Sequence, residues 1–273
     1  MFAFAGLFFA LTGGGDGDGT GGGHDKLGAD FIMHHITDHP LVGIHLFGMD
    51  FSITKHILMM WIASAILIIT FSLLFRKPKL IPSGLANLFE SIIVFLQDEV
   101  MRPYLGKDSY KYAPYLLTAF FFILLCNLMG LVPGAATATG NISVTVALAL
   151  LTFVMVQAAG IKNSGLIGYF RGLIPPGLPW IILPIMIPVE LVGLLTKHFA
   201  LAIRLFANMV AGHVVIFALL LIIFTFENWF VGGITLGGII FVSLLEILIG
   251  FIQAFIFTIL SSVFIGMAVH PDH

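Results

Sequence analysis

The chain has 273 residues, 59% hydrophobic and 10% charged, with a formal net charge of −2. Soluble domains carry about 25% charged residues, so these figures place the chain in a membrane. The near-neutral balance speaks against nucleic acid as a partner.

Residues 2–12 (FAFAGLFFALT) are apolar but fall short of the roughly 20 residues a spanning helix needs. No Lys or Arg precedes them, as a secretory signal would want, and whether they form one stays open. Residues 13–23 are a Gly/Asp linker. His24, His34, His35, His39, His45 and His56 crowd the following stretch. Their spacing fits no zinc pattern with Cys and no helical HExxH. A solvated segment is therefore expected rather than a metal site. Residues 1–50 are read as an N-terminal extramembrane segment and 51–270 as a membrane domain.

The first spanning helix is expected at 57–75, followed at once by Arg76, Lys77 and Lys79. By the positive-inside rule that end is cytoplasmic and the N-terminus lies outside. Residues 84–101 alternate apolar and polar groups at helical spacing and suggest an amphipathic helix at the interface. A second span is expected at 114–131, ending in a polar turn from Pro133 to Asn141, and a third at 142–160. The single cysteine, Cys126, sits in the second span; it can form no intrachain disulfide and reads as a packing residue. Pro175, Pro176 and Pro179 break the chain next.

From Pro188 to Thr225 nothing interrupts helix. Some 38 residues at 1.5 Å each make about 57 Å, against a hydrocarbon core about 30 Å thick. Such a helix must tilt, bend or break. Residues 226–238 are expected to form an outer turn, with Trp229 as an interfacial anchor. Residues 239–268 form a last helix of about 45 Å. The expected fold is thus an all-α integral membrane protein with about five membrane-embedded helices and one interfacial helix. Its last two helices form a long, tilted hairpin.

These two helices carry Glu190, Lys197, Arg204, Asn208, His213, Glu246 and Gln253. Glu190, Lys197 and Arg204 recur every seven residues, and Asn208 lies about 40° from Arg204 on a helical wheel. Gly193, Ala200 and Ala211 share that stripe; small residues let another backbone approach closely. Arginine stays charged in proteins, and at mid-bilayer it costs about 2.5–3.5 kcal/mol on insertion scales. The acids on these helices, Glu190 and Glu246, lie at other depths. The partner of Arg204 is therefore expected on another chain. Glu246 and Gln253 share one face of the last helix, and the simplest arrangement sets His213 against Glu246. Gln253 then falls about 10 Å farther along. Lys197 reads equally well as a snorkelling lysine, and His198, off the stripe, as a packing residue.

The residues RLFANMVAGH at 204–213 carry a resemblance to a known family. They are joined by Pro188-Val189-Glu190, Lys197, Glu246, IQAFIF at 252–257 and NLMGLVP at 127–133. Over about residues 50–270 the chain resembles subunit a of the F-type ATP synthases, the stator half of a proton channel. The resemblance implies that Arg204 faces the carboxylate of a rotating ring of c subunits. It implies that Asn208, His213, Glu246 and Gln253 line an outer half-channel and Glu190 an inner one. One branch of the family carries the acid at position 213 and the histidine at 246; here they are exchanged. The expected partners are the c ring, peripheral-stalk b subunits, the rest of the F1Fo complex and the lipid bilayer, with no cofactor. The expected location is a cell inner membrane, multi-pass, with the C-terminus cytoplasmic.

Three rival classes fit less well. Ten histidines suggest a haem or quinone oxidoreductase. Bis-His ligation needs histidines on facing spans, and apart from His198 and His213 they lie in the N-terminal segment, near its end, or at the C-terminus. A stand-alone transporter of the inverted-repeat kind would show internal repeats, and none is visible. A serine protease would want a GxSxG motif, which is missing. The chain also lacks a Walker A pattern for nucleotide.

Overall fold

The computed structural model describes residues 40–42, 45–46, 49–50, 53–76, 84–132, 137–172, 183–226 and 229–270. The N-terminal apolar run, the Gly/Asp linker, the histidines up to His39 and the proline cluster at 175–179 lie outside them.

Four short strands come first. β1 (Pro40–Val42) pairs antiparallel with β4 (Ile53–Thr54), and β2 (His45–Leu46) with β3 (Met49–Asp50) between them. Helix α1 (Lys55–Leu74) follows directly. It is apolar all round, leaves Trp61, Ile68, Ile69 and Leu73 exposed and buries only Ala63, as a lipid-facing span should.

Residues 84–101 form α2 (Leu85–Phe95) and a π-helical stretch (Leu96–Met101), which continue through α3 (Arg102–Leu105) and a 3₁₀ turn (Gly106–Asp108) into α4 (Ser109–Gly130). The breaks have local causes: six residues wound too wide at the π stretch, and Gly106 at φ 54. Leu96 and Val100 are buried and Phe89, Ile92 and Ile93 pack beside them, while Asn87, Glu90 and Asp98 stay exposed, as amphipathicity demands. Leu85, Leu88, Val94 and Phe95 are exposed as well.

Helix α5 runs Ile142–Gly172, past the expected end at 160, and breaks its helical path at Gly165 (φ 70, ψ 166). Helix α6 (Leu183–Phe226) keeps Pro188 inside it, and α7 spans Trp229–Val269. The expected turn at 226–238 is a correction: only residues 227–228 separate the two helices. Gly232, Gly233, Gly237 and Gly238 sit within α7, where packing and the membrane override glycine's poor helix propensity. At 1.5 Å per residue, 44 and 41 residues give helices of about 66 and 62 Å. Neither stands upright in a core about 30 Å thick.

Among the described residues, five helical stretches are long and apolar enough to cross a membrane: Lys55–Leu74, Leu85–Gly130, Ile142–Gly165, Pro184–Ile223 and Trp229–Val269. Helix α7 is central, in contact with α4, α5 and α6. Its Phe257 and Ile265 share one buried cluster with Leu116, Phe120 and Ile123 of α4 and Leu205 of α6. The fit is close at Gly266, where a Cβ would stand 2.5 Å from the Tyr104 carbonyl oxygen. Asn163 donates to the Val269 carbonyl, capping the end of α7.

Candidate functional site

Helices α6 and α7 pack as antiparallel neighbours, which brings His213 and Glu246 together. His213 Nδ1 lies 2.9 Å from Glu246 Oε1 and 3.1 Å from the Met209 carbonyl oxygen one turn back. Glu246 is only 3% exposed. Apart from the His213 ring, its carboxylate has no hydrogen-bonding partner among the described residues. Gly212 makes room for it: a Cβ there would stand 2.5 Å from Glu246 Oε1.

The far side of the ring meets α4 and the loop after it. His213 Nε2 is 3.1 Å from the Gly130 carbonyl oxygen and 2.7 Å from Thr137 Oγ1. The Gly130 carbonyl belongs to the last turn of α4, where no helical donor remains. Each ring nitrogen thus faces a backbone carbonyl. A ring with one proton donates on one side only; with two it donates on both, and Glu246 supplies the counter-charge.

Below this pair, buried Asn127 bridges α4 to α7. Its Nδ2 donates to the Gly250 carbonyl at 3.1 Å, and its Oδ1 accepts from Thr139 Oγ1 at 2.7 Å. Gly250 is one turn beyond Glu246 and one turn before Gln253. There the next pair closes: Asn208 Nδ2 donates to Gln253 Oε1 at 2.9 Å, with Gln253 buried on α7. Polar groups therefore recur turn by turn from His213 to Asn208, which is one turn from Arg204.

Arg204 behaves differently. It is exposed, with exposed Lys197, Ala200, Ile203 and Ala207 around it. No ion pair joins it to any described residue, in contrast to Asp98–Arg102, His213–Glu246 and Asp108–His270. Glu190 is half-buried, about 21 Å below Arg204 along a regular helix. The sequence-derived residues thus divide in two. His213 meets Glu246 and Asn208 meets Gln253, whereas Arg204, Lys197 and Glu190 meet none of the others.

A protein-family model described as the ATP synthase A chain matches residues 57–266. The chain belongs to the ATP synthase a-subunit family. It is 48% identical to ATP synthase subunit a 2 of Chlorobium luteolum over 265 residues, covering 90% of this chain and 77% of the relative. It is 47% identical to the corresponding protein of Prosthecochloris aestuarii, covering 92% and 83%. It is 45% identical to ATP synthase subunit a of Myxococcus xanthus, covering 92% and 86%. Family membership and five long apolar helices make the chain an integral membrane component of a proton-translocating complex.

Sequence reasoning missed the role in this cluster of Asn127, Thr137, Thr139 and the Gly130 carbonyl. The available signals were an amide, Asn127, inside an apolar span and threonines in the polar turn after it. His198 is buried between Phe153 and Phe264, its Nδ1 donating to the Leu194 carbonyl at 2.9 Å. Cys126 packs with Ala63 and Ala138. Both are packing residues. His56 departs from expectation: it lies within α1, half-buried, with Nδ1 3.0 Å from the Thr137 carbonyl oxygen.

Proposed function

We propose that this chain is the stator of a rotary proton channel in a bacterial inner membrane, with its N-terminus outside and its C-terminus in the cytoplasm. Its partners are a ring of c subunits, peripheral-stalk b subunits and the remainder of the F1Fo complex. One observation carries the reading. Among the described residues Arg204 is an unpaired, exposed charge on an apolar helix, one turn from a polar file that begins at buried Glu246.

On this reading His213, Glu246, Gln253 and Asn208 form the outer half-channel. A proton taken up by the His213–Glu246 pair passes by Asn127 and Gln253 to a carboxylate on the ring. Neutralised, that carboxyl can face lipid; charged, it cannot without a large desolvation cost. The ring therefore turns away from the inlet. After nearly a full turn the carboxyl releases its proton into an inner half-channel near Glu190. Arg204 stands between the two, favouring the charged carboxylate by its own charge and repelling a proton that would cross directly. Lys197 extends the same positive face. Each elementary charge crossing 100 mV releases about 2.3 kcal/mol, which rotation passes to ATP synthesis elsewhere in the complex.

The test is ATP-driven acidification of inverted membrane vesicles. With the complex assembled, Arg204→Ala loses acidification to below about 1% of wild type, a barrier change of roughly 2.7 kcal/mol. Wild-type pumping by the variant overturns the reading.

A further inference from the structure

His56 and His213 contact the same threonine, one through its backbone and one through its side chain. His56 opens α1, and its Nδ1 approaches the Thr137 carbonyl oxygen at 3.0 Å. A carbonyl only accepts, so Nδ1 carries the hydrogen. The same carbonyl accepts from the Gly140 amide at 3.0 Å, which uses its second lone pair. The Thr137 hydroxyl meets His213 Nε2 at 2.7 Å. Two residues on, Thr139 is anchored to buried Asn127. The loop that presents Thr137 to the His213 ring is thus fastened by Asn127 at one point and by His56 at another. Thr137 is itself buried, so a loosened carbonyl finds no ready water in exchange.

We propose that His56 is a positioning residue of the outer half-channel: its hydrogen bond fixes the Thr137 backbone and thereby holds the Thr137 hydroxyl on His213 Nε2. The proposal rests on the half-channel reading of His213 and Glu246. The Thr137 carbonyl oxygen does not titrate, so this bond positions the loop and carries no proton. It determines instead how the ring that does accept protons is oriented, in the way outer partners of a catalytic or metal-bound histidine fix its tautomer.

The experiment uses the assembled complex in vesicles stripped of the ATP-hydrolysing head and reads passive proton flux under an imposed potential. His56→Leu removes the donor and slows flux roughly two- to tenfold, the scale of one buried hydrogen bond. His56→Asn, whose side-chain amide can occupy the place of Nδ1, keeps at least half of the wild-type flux. Thr137→Val slows flux by itself, and adding His56→Leu to it slows flux no further, because the proposed effect of His56 on His213 runs through Thr137. Wild-type flux in His56→Leu overturns the proposal. So does an Asn variant as slow as the Leu variant, or a double variant in which the two losses multiply. Glu246→Gln in the same assay separates the two levels. If Glu246→Gln blocks flux while His56→Leu conducts normally, only the His56 assignment fails. If Glu246→Gln also conducts normally, the half-channel reading itself fails.

Discussion

The two ends of helix α6 treat polarity in opposite ways. Toward Phe226, His213 and Asn208 are each paired with a buried group on α7, and the ring of His213 is also bonded to α4 and its loop. Toward Leu183, Lys197 and Arg204 stand exposed on an apolar surface with no ion-pair partner among the described residues. Burying a polar group without a partner is costly in a membrane. Where this chain completes its own polar pairs, the chemistry is internal. Where it leaves a permanent charge bare among the described residues, the proposed ring would complete it. The first region reads as a conduit and the second as an interface.

That contrast can be broken or sharpened by substitution. The largest effect in the paired region is expected at Glu246. Glu246→Gln removes its one titrating carboxylate and lowers ATP-driven pumping roughly 100-fold. Exchanging the two residues, by His213→Glu and Glu246→His in one chain, retains more pumping than either single change. A double exchange no better than the singles shows that the two are not a working pair. Next comes Gly212→Ala. Its methyl meets the Glu246 carboxylate at a separation no real Cβ tolerates, so the acid is pushed off His213 and pumping falls about tenfold. Unchanged pumping there places the essential geometry elsewhere. Gln253→Leu loses one hydrogen bond to Asn208 and reduces pumping roughly two- to tenfold. The smallest effect is at Lys197→Ala, where an exposed lysine is worth about 0–1 kcal/mol. A block at Lys197 as complete as that at Arg204 shows that the bare face acts as one charged unit, not through a single arginine.

Much of this was legible in the sequence because hydrophobic length and helical period are local properties. The five spans, the excessive length of the last two helices, and the sharing of a face by Glu246 and Gln253 follow from counting residues. The seven-residue recurrence of Glu190, Lys197 and Arg204 is read the same way. The meeting of His213 and Glu246 required only that two long helices fold back on each other. What stayed hidden depends on contacts far apart in the chain. Thr137 looks like any loop threonine until α4 ends at Gly130 beside it. His56 looks like one of six histidines in a polar stretch until α1 packs beside the loop after α4. The glycines at 232–238 look like a turn because propensity is a local preference, and the packed helix outweighs it. The proposed partner of Arg204 is legible only as a gap, since one chain's sequence shows an unmatched charge but not what would meet it.

The central claim is that Arg204 is a barrier between two half-channels and not a step along one path. The most direct test compares passive proton flux in head-stripped vesicles carrying Arg204→Ala with flux in those carrying Glu246→Gln, both with the complex assembled. The account predicts that Arg204→Ala conducts at or above the wild-type rate although it no longer pumps, because the ring carboxylate can then exchange protons with both half-channels without turning, while Glu246→Gln is nearly closed. Flux through Arg204→Ala as low as through Glu246→Gln would contradict it.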